Sequence, residues 1–500
     1  MTNRVLLGAS VAWSALATAA AADVTPEEVW SGMQSAINAA YGGYTAASEE
    51  RSGDTLTITD LKVSQTDSDT SFTFVVPSMA LSDNGDGTVT VTTSPEYDGQ
   101  MSVTDEGEKL DIDLYIRQIG ATMIVSGTAD DMTTTYNAES VAVGLDEMLI
   151  NGKKMDDAMF ELSFNGMSGT TDLRPDAMEQ AYDVENIQLD LGLTDPETGE
   201  KVKVEGLFDT IAFTSKSEGE NAAMQDFHRM AEAGGTMSFD VTTGSNTVNA
   251  SGTADGSPFA VSLRSSGSSM SSNANADGLT YDSLARDVQA VVQVNAFPQP
   301  IELQIAEYSV NAASPILPSE EPAPVALGFA LRDFTMSDAL WDIFDPAKVL
   351  PRIPATIALG LEGDAILKAP LFDPAQSARI ETMFEEGNPP VTLDNLSLTE
   401  LEITAAGAMI TGTGDMMFDN TDLETFDGFP RPEGQIALRA VGLNGLLDNL
   451  GQMGILPPEQ LMGPRMMLSM FTVVEAQDTL TSTIEIKEGG QILANGQRIR

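Results

Sequence analysis

The chain has no cysteine and one histidine, His228. Without thiols it can form no disulfide and carry no lipid on a lipobox cysteine, and zinc sites built on Cys and His ligands are excluded. Positive charge is scarce: 25 Lys and Arg stand against 75 Asp and Glu, a formal net charge of −50. A chain this anionic repels nucleic acid and anionic head groups at long range, so no nucleic-acid partner is expected. Aromatics make up only 6 % of the residues. That poverty weakens a carboxylate-based hydrolase of envelope polysaccharide, because sugar clefts are usually lined with stacking rings, although the acids offer many carboxylate pairs. Beyond the N-terminus no apolar run approaches the roughly 20 residues that a membrane-spanning helix needs, so no transmembrane segment is expected in the mature chain.

What is present begins with a leader. Met1–Arg4 is a short segment with one positive side chain, Val5–Leu16 is apolar, and Ala20-Ala21-Ala22 is a small-x-small signal. This order predicts a signal peptide over 1–22, cleavage before Asp23, and a periplasmic or outer-envelope location. Removing 22 of 500 residues leaves 478, and at about 150 residues per domain that is two to four domains. Such a length builds a core without disulfide staples.

A helix over 26–41 follows. Thr25 is a good N-cap, Pro26 suits the first turn, and Glu28 completes a capping box. Val29, Trp30, Met33, Ile37, Ala40 and Tyr41 form an apolar stripe at helical spacing, which reads as a face docked on the core. From Asp54 to Asn311 the period becomes two, as in Thr55–Thr59, Ser71–Val75, Thr88–Thr92, Leu110–Leu114, Met237–Val241 and Glu302–Ile305. Strict alternation predicts antiparallel strands with one buried and one wet face. The turns are marked by Asp86-Gly87, Thr198-Gly199, Asp255-Gly256 and Asp277-Gly278. Short polar helices are expected over Pro175–Tyr182 and Ala222–Ala233.

Ser126–Asp130 is repeated at Ser251–Asp255 and, more loosely, at Thr411–Asp415, an echo that suggests duplication. The segment 314–325 carries Pro315, Pro318, Pro322 and Pro324 and reads as a stiff connector. It would separate an N-terminal β-rich lobe, 23–313, from a C-terminal α+β lobe, 326–500. In the latter, strands over Thr356–Leu361, Leu396–Thr404 and Gln435–Ala440 alternate with helices starting near Ser337 and over Pro374–Glu386, Leu443–Met453 and Pro458–Val474. A hairpin, Thr479–Ile486 and Gln491–Ala494, closes the chain. The expected fold class is α+β, β-dominated: curved antiparallel sheets in two similar lobes with a few amphipathic helices.

The run from Trp341 through Asp345-Pro346 to Leu350-Pro351-Arg352-Ile353-Pro354-Ala355-Thr356 resembles a motif of an uncharacterised family of exported Gram-negative proteins, a domain of unknown function. The opening helix with Trp30 and the closing hairpin with Asn495-Gly496 agree with it, whereas Ile353 stands where that pattern often has Asp. The resemblance marks Trp341, Asp345, Pro346, Leu350, Pro351, Arg352 and Pro354 as motif residues and implies no catalytic residue. At fold level the order of elements is similar to the C-terminal units of AsmA-like envelope proteins, which implies an elongated β-surface offered to lipid.

Chemistry is otherwise sparse. His228 lacks a G-x-S-x-G partner, and a surface or helix-end histidine is the simpler account. Ser82–Gly87 resembles a calcium loop, but Ser82 and Thr93 stand where acids would be needed, and a hairpin turn explains the run. The other acids are scattered singly, which argues against a calcium-dependent surface protein. Met462, Met466, Met467, Met470 and Phe471 make a Met-rich stretch. Core packing is its simpler explanation, yet it is the best candidate for an apolar-ligand surface. The expected role is therefore non-enzymatic, with no cofactor or metal: an envelope binding or structural protein holding lipid or another apolar ligand in a β-groove, or docking an envelope protein.

Overall fold

The computed structural model describes residues 24–500 apart from 68, 106, 197, 220–226, 372, 374 and 375. The expected leader and the first part of the helix expected over Ala222–Ala233 lie outside the described residues. Strands take 64 % of the chain and helices 13 %, so the β-dominated α+β class is what forms. The described residues divide into two compact units, one within 24–224 and 237–263, the other within 225–236 and 264–500.

The first unit opens with helix α1, Pro26–Tyr41. Its capping box closes as the sequence specifies, with Glu28 N–H donating to Thr25 Oγ1 (3.3 Å) and Thr25 N–H to Glu28 Oε2 (2.9 Å). Gly42, at φ 76°, ends the helix in the left-handed region and donates to the Asn38 carbonyl (2.9 Å). Val29, Trp30, Met33 and Ile37 are buried. They pack on Leu56, Ile58 and Leu61 of β1 (Thr55–Thr66), Val76, Met79 and Leu81 of β2 (Thr70–Asp83), and Val89 and Val91 of β3 (Val89–Thr93). Each such aliphatic side chain contributes roughly 1.5–3 kcal/mol when removed from water. Trp30 Nε1 keeps its hydrogen bond through Glu49 (3.0 Å).

Beyond this core the sheet continues through β4 (Glu96–Asp105), β5 (Glu108–Ile119), β6 (Thr122–Thr128), β7 (Asp131–Ile150), β8 (Met159–Arg174), β9 (Ala177–Thr194), β10 (Lys201–Glu218) and β11 (Asn246–Ala254). From β4 the pairing runs antiparallel through β5, β7, β8, β9 and β10 to β11. The helix expected over Pro175–Tyr182 does not form. Pro175 and Asp176 are the turn between β8 and β9, and Met178 and Tyr182 are alternate residues on one face of β9.

In the second unit the long strands are β12 (Gly278–Val294), β13 (Ile301–Ser314), β14 (Ala323–Met336), β15 (Ala355–Leu367), β16 (Val391–Ala405), β17 (Ala408–Asp419), β18 (Arg431–Val441), β19 (Thr479–Lys487) and β20 (Gln491–Ala494). Each pairs antiparallel with the next. Pro315–Pro322 joins β13 to β14, which pair with each other, so the proline-rich segment lies inside this unit. The division by contact falls between Leu263 and Arg264 instead.

Among its described residues this unit has five helices: α2 (Phe227–Glu232), α3 (Asp338–Phe344), α4 (Ser377–Glu385), α5 (Leu443–Gln452) and α6 (Pro458–Phe471). The echoed pentapeptides differ in setting. Ser126–Asp130 and Ser251–Asp255 carry a strand end into a turn, while Thr411–Asp415 lies within β17.

Several long strands change phase part-way. Gly166 (φ 60°) and Thr210 (φ 51°) flank Glu185, and the register skips all three. Asp287 (φ 48°) and Ala306 are skipped between β12 and β13, and Asp333 (φ 53°) marks a bulge in β14. Such residues kink a strand and shift which alternate residues face one side. Because neighbouring strands shift together, each face keeps its character across the kink.

Candidate apolar-ligand surface

Directly paired residues in antiparallel strands point to the same face, so the registers assign faces without ambiguity. In the second unit one row reads Tyr308, Leu331, Ile357, Ile403, Ile410, Ala440 and Leu480 across β13 to β19. The neighbouring row reads Val310, Phe329, Leu359, Leu401, Gly412, Leu438 and Ser482. The opposite face carries Ala330, Ala358, Glu402, Thr411, Arg439 and Thr481. Seven strands at about 4.8 Å spacing make an apolar face about 29 Å wide. It is poorly covered: Leu327, Ile357 and Ile403 are 50 %, 51 % and 41 % exposed.

The first unit repeats the arrangement. Ile116, Val143, Leu162, Leu189, Gly206 and Val248 make one apolar row across β5 to β11. The adjacent row on the other face is Tyr115, Gly144, Glu161, Asp190, Glu205 and Asn249. Helix α1 covers one end of this apolar face, and Tyr41 reaches Phe72 edge-on at 5.5 Å. Farther along, Leu162, Phe164, Met167, Ile187, Leu189 and Phe208 are only half-buried.

The Met-rich helix α6 corrects the preference for core packing. Met462, Met466, Met467 and Met470 are 73 %, 64 %, 57 % and 57 % exposed, and Phe471 is half-buried. They do share a helical stripe, but it is exposed rather than packed in a core. Packing falls to Leu461, whose Cδ1 would lie 2.7 Å from a Cβ on Gly451 of α5, and Arg465 pairs with Asp448. The end of α6 is fastened on the apolar side: the Phe471 carbonyl accepts from Ser482 Oγ (2.6 Å) and Asn495 Nδ2 (2.9 Å).

The motif residues form a knot between β14 and β15. Asp345 is buried and accepts from the Val349 and Leu350 N–H groups, each at 2.9 Å. Burial pushes its carboxyl up, but those donors and Arg352 outweigh it and hold it below the usual carboxylate value. Arg352 donates to the Asp345 carbonyl (3.0 Å), pairs with Asp338 and Asp342, and lies 5.7 Å from the Trp341 ring. Leu350 is buried, Pro351 approaches Gly407, and Pro346 and Pro354 are exposed. Asp338 and Asp342 are paired with Arg352, Asp338 also with Lys348, and Asp345 is held by backbone N–H groups, so these groups brace the knot.

Two further features carry little chemistry. His228 faces inward on α2 beside Met230 and Ala231, 8 % exposed and 3.4 Å from Glu232, rather than on the surface. In the Ser82–Gly87 turn, Asp83 accepts from Gly85 N–H (2.8 Å), and Asp86 from the Thr88 N–H (3.1 Å) and hydroxyl (2.7 Å). Its carboxylates thus serve the turn itself.

A shallow cleft of about 530 Å³ lies on the polar side of the second unit, floored by Thr411, Thr413, Ala437, Thr481 and Thr483. Its carboxylates, Glu400 and Glu402, lie 2.9 and 3.8 Å from Arg332. Ion-paired acids are poor candidates for general acid–base work. No protein-family model matches this chain, and no curated protein matches it, so the likeness drawn from the Trp341–Thr356 run rests on those residues alone.

Proposed function

We propose that this is an exported envelope protein that binds lipid or another apolar ligand along the apolar face of its β-sheet, without catalysing a reaction. The observation that carries this reading is the largely apolar face across β13 to β19, half-exposed in its middle, with the exposed methionines of α6 beyond one end. An acyl chain laid on such a face gains about 0.8 kcal/mol per buried methylene. About eight methylenes therefore contribute about 6 kcal/mol before ordering costs. Methionine side chains adapt to chains of different shape.

The test is native mass spectrometry of the full chain purified gently from its own envelope, with lipid extraction of the same sample. Lipid at a defined stoichiometry is the expected result. A protein mass free of ligand, and unchanged when lipid vesicles are added, would sink the reading.

A further inference from the structure

The second unit has few cations to spare. Residues 264–500 hold 32 Asp and Glu against 13 Lys and Arg. Arg332 is shared by Glu307, Glu400 and Glu402, Arg352 by Asp338 and Asp342, and Arg431 by Asp419, Asp422 and Glu433. Lys348, Arg439, Arg465 and Lys487 each have a carboxylate within 4 Å.

Antiparallel order places the connections β13–β14, β15–β16 and β17–β18 at one end of the apolar face. The knot and the α5–α6 hairpin, with its methionines, lie at the other. The first end carries Glu320, Glu321, Glu381, Glu385, Glu424 and Asp427, all exposed. In these connections Lys368 donates to Asn388 and Arg379 is the one other base, while Arg500 reaches the same end and donates to the Thr425 carbonyl (2.9 Å), so the carboxylates of this end still outnumber its bases. An amphiphile whose tail runs toward the methionines presents its head group to a rim of carboxylates.

We infer that the face selects amphiphiles with a neutral or cationic head group and rejects anionic ones. This rests on the apolar-face reading above. The field of the rim acts on the head group alone, so it sets selectivity and leaves tail binding in place.

The test incubates the full chain with vesicles of equal phosphatidylcholine and phosphatidylglycerol bearing the same acyl chains, re-isolates the protein and extracts its lipid. Phosphatidylcholine should be enriched about tenfold at low salt. That preference should fall toward parity at about 1 M salt, where the screening length is about 3 Å. Combined Glu320→Gln, Glu321→Gln, Glu424→Gln and Asp427→Asn substitutions should also bring it toward parity, with total bound lipid unchanged. Bound lipid with no preference, or enriched in phosphatidylglycerol, overturns the head-group inference and leaves the apolar-face reading standing. A preference that survives high salt or the substitutions overturns it too. Absence of both lipids counts instead against the proposed function.

Discussion

Ser482 donates its hydroxyl to the Phe471 carbonyl across 2.6 Å. Ser482 is the one polar residue in its row of the apolar face, beside Leu438, so this bond sets the end of α6 on the apolar side of the sheet. At the other foot of the helical hairpin, Asp478 accepts from the Asn444 and Gly445 N–H groups, each at 3.0 Å. Among the described residues of α5 and α6 none is buried. The hairpin is thus held largely by polar anchors at its feet, and its Met stripe is left free for another surface.

Removing one foot should loosen α6 without unfolding the sheet. Ser482→Ala combined with Asn495→Ala deletes both donors to Phe471, each contributing about 1 kcal/mol. Hydrogen exchange over 458–471 should speed up several-fold while β15 to β18 stay protected. Unchanged protection of α6 would mean that side-chain packing, rather than these bonds, holds it.

A charge placed mid-face should abolish ligand binding and spare the fold. Leu327 and Ile357 are about half exposed, so Leu327→Glu with Ile357→Glu adds little strain but forces any acyl chain to desolvate carboxylates. Bound lipid should drop at least about tenfold, the effect of about 1.4 kcal/mol, with an unaltered circular dichroism spectrum. Glu402→Gln on the opposite face is the control and should leave binding as it was. Equal loss in the control would show that the ligand does not lie on the apolar face.

Much of the fold is legible in the sequence, and the part that is not has a definite cause. Helix α1 is written in Thr25, Pro26, Glu28 and the stripe from Val29 to Ile37, and it forms within those bounds. The turn pairs Asp86-Gly87, Thr198-Gly199 and Asp255-Gly256 all join strands. The length of the strands and the extent of the apolar face are hidden by phase shifts. In β8 the apolar positions are 160, 162 and 164, then 167 after Gly166, so alternation breaks and one strand resembles two. The apolar rows exist only between strands, where no local period reports them. Methionine spacing at 462, 466 and 470 identifies a helical stripe but not which way it faces.

The kink at Thr210 is testable by relieving it. A β-branched residue at φ 51° sits in the left-handed region, which costs roughly 1–2 kcal/mol. Asparagine tolerates that region better. Thr210→Asn should therefore stabilise the first unit by about 0.5–1 kcal/mol, measured as a raised urea midpoint with an unchanged slope. A fall in stability would mean that the threonine side chain contributes more than its backbone strain costs.

Alkaline titration should unfold the first unit. Burial pushes Tyr97 and Tyr136 up to about 12, each helped by a neighbouring tyrosine, and Tyr115 reaches about 12 through burial and its bond to Glu161. An unfolded chain ionises its tyrosines near 10, so these three stabilise the fold fully below that value. Between 10 and about 12 the unfolded state gains tyrosinate that the folded state resists, and stability falls with rising pH. Tyrosinate absorbance should therefore lag behind a model tyrosine and then rise together with loss of β-sheet signal. Tyr97→Phe keeps the ring buried and removes the ionising group, so it should delay that transition. If the three ionise near 10 with the sheet intact, their hydroxyls are open to water and burial is not what raises them.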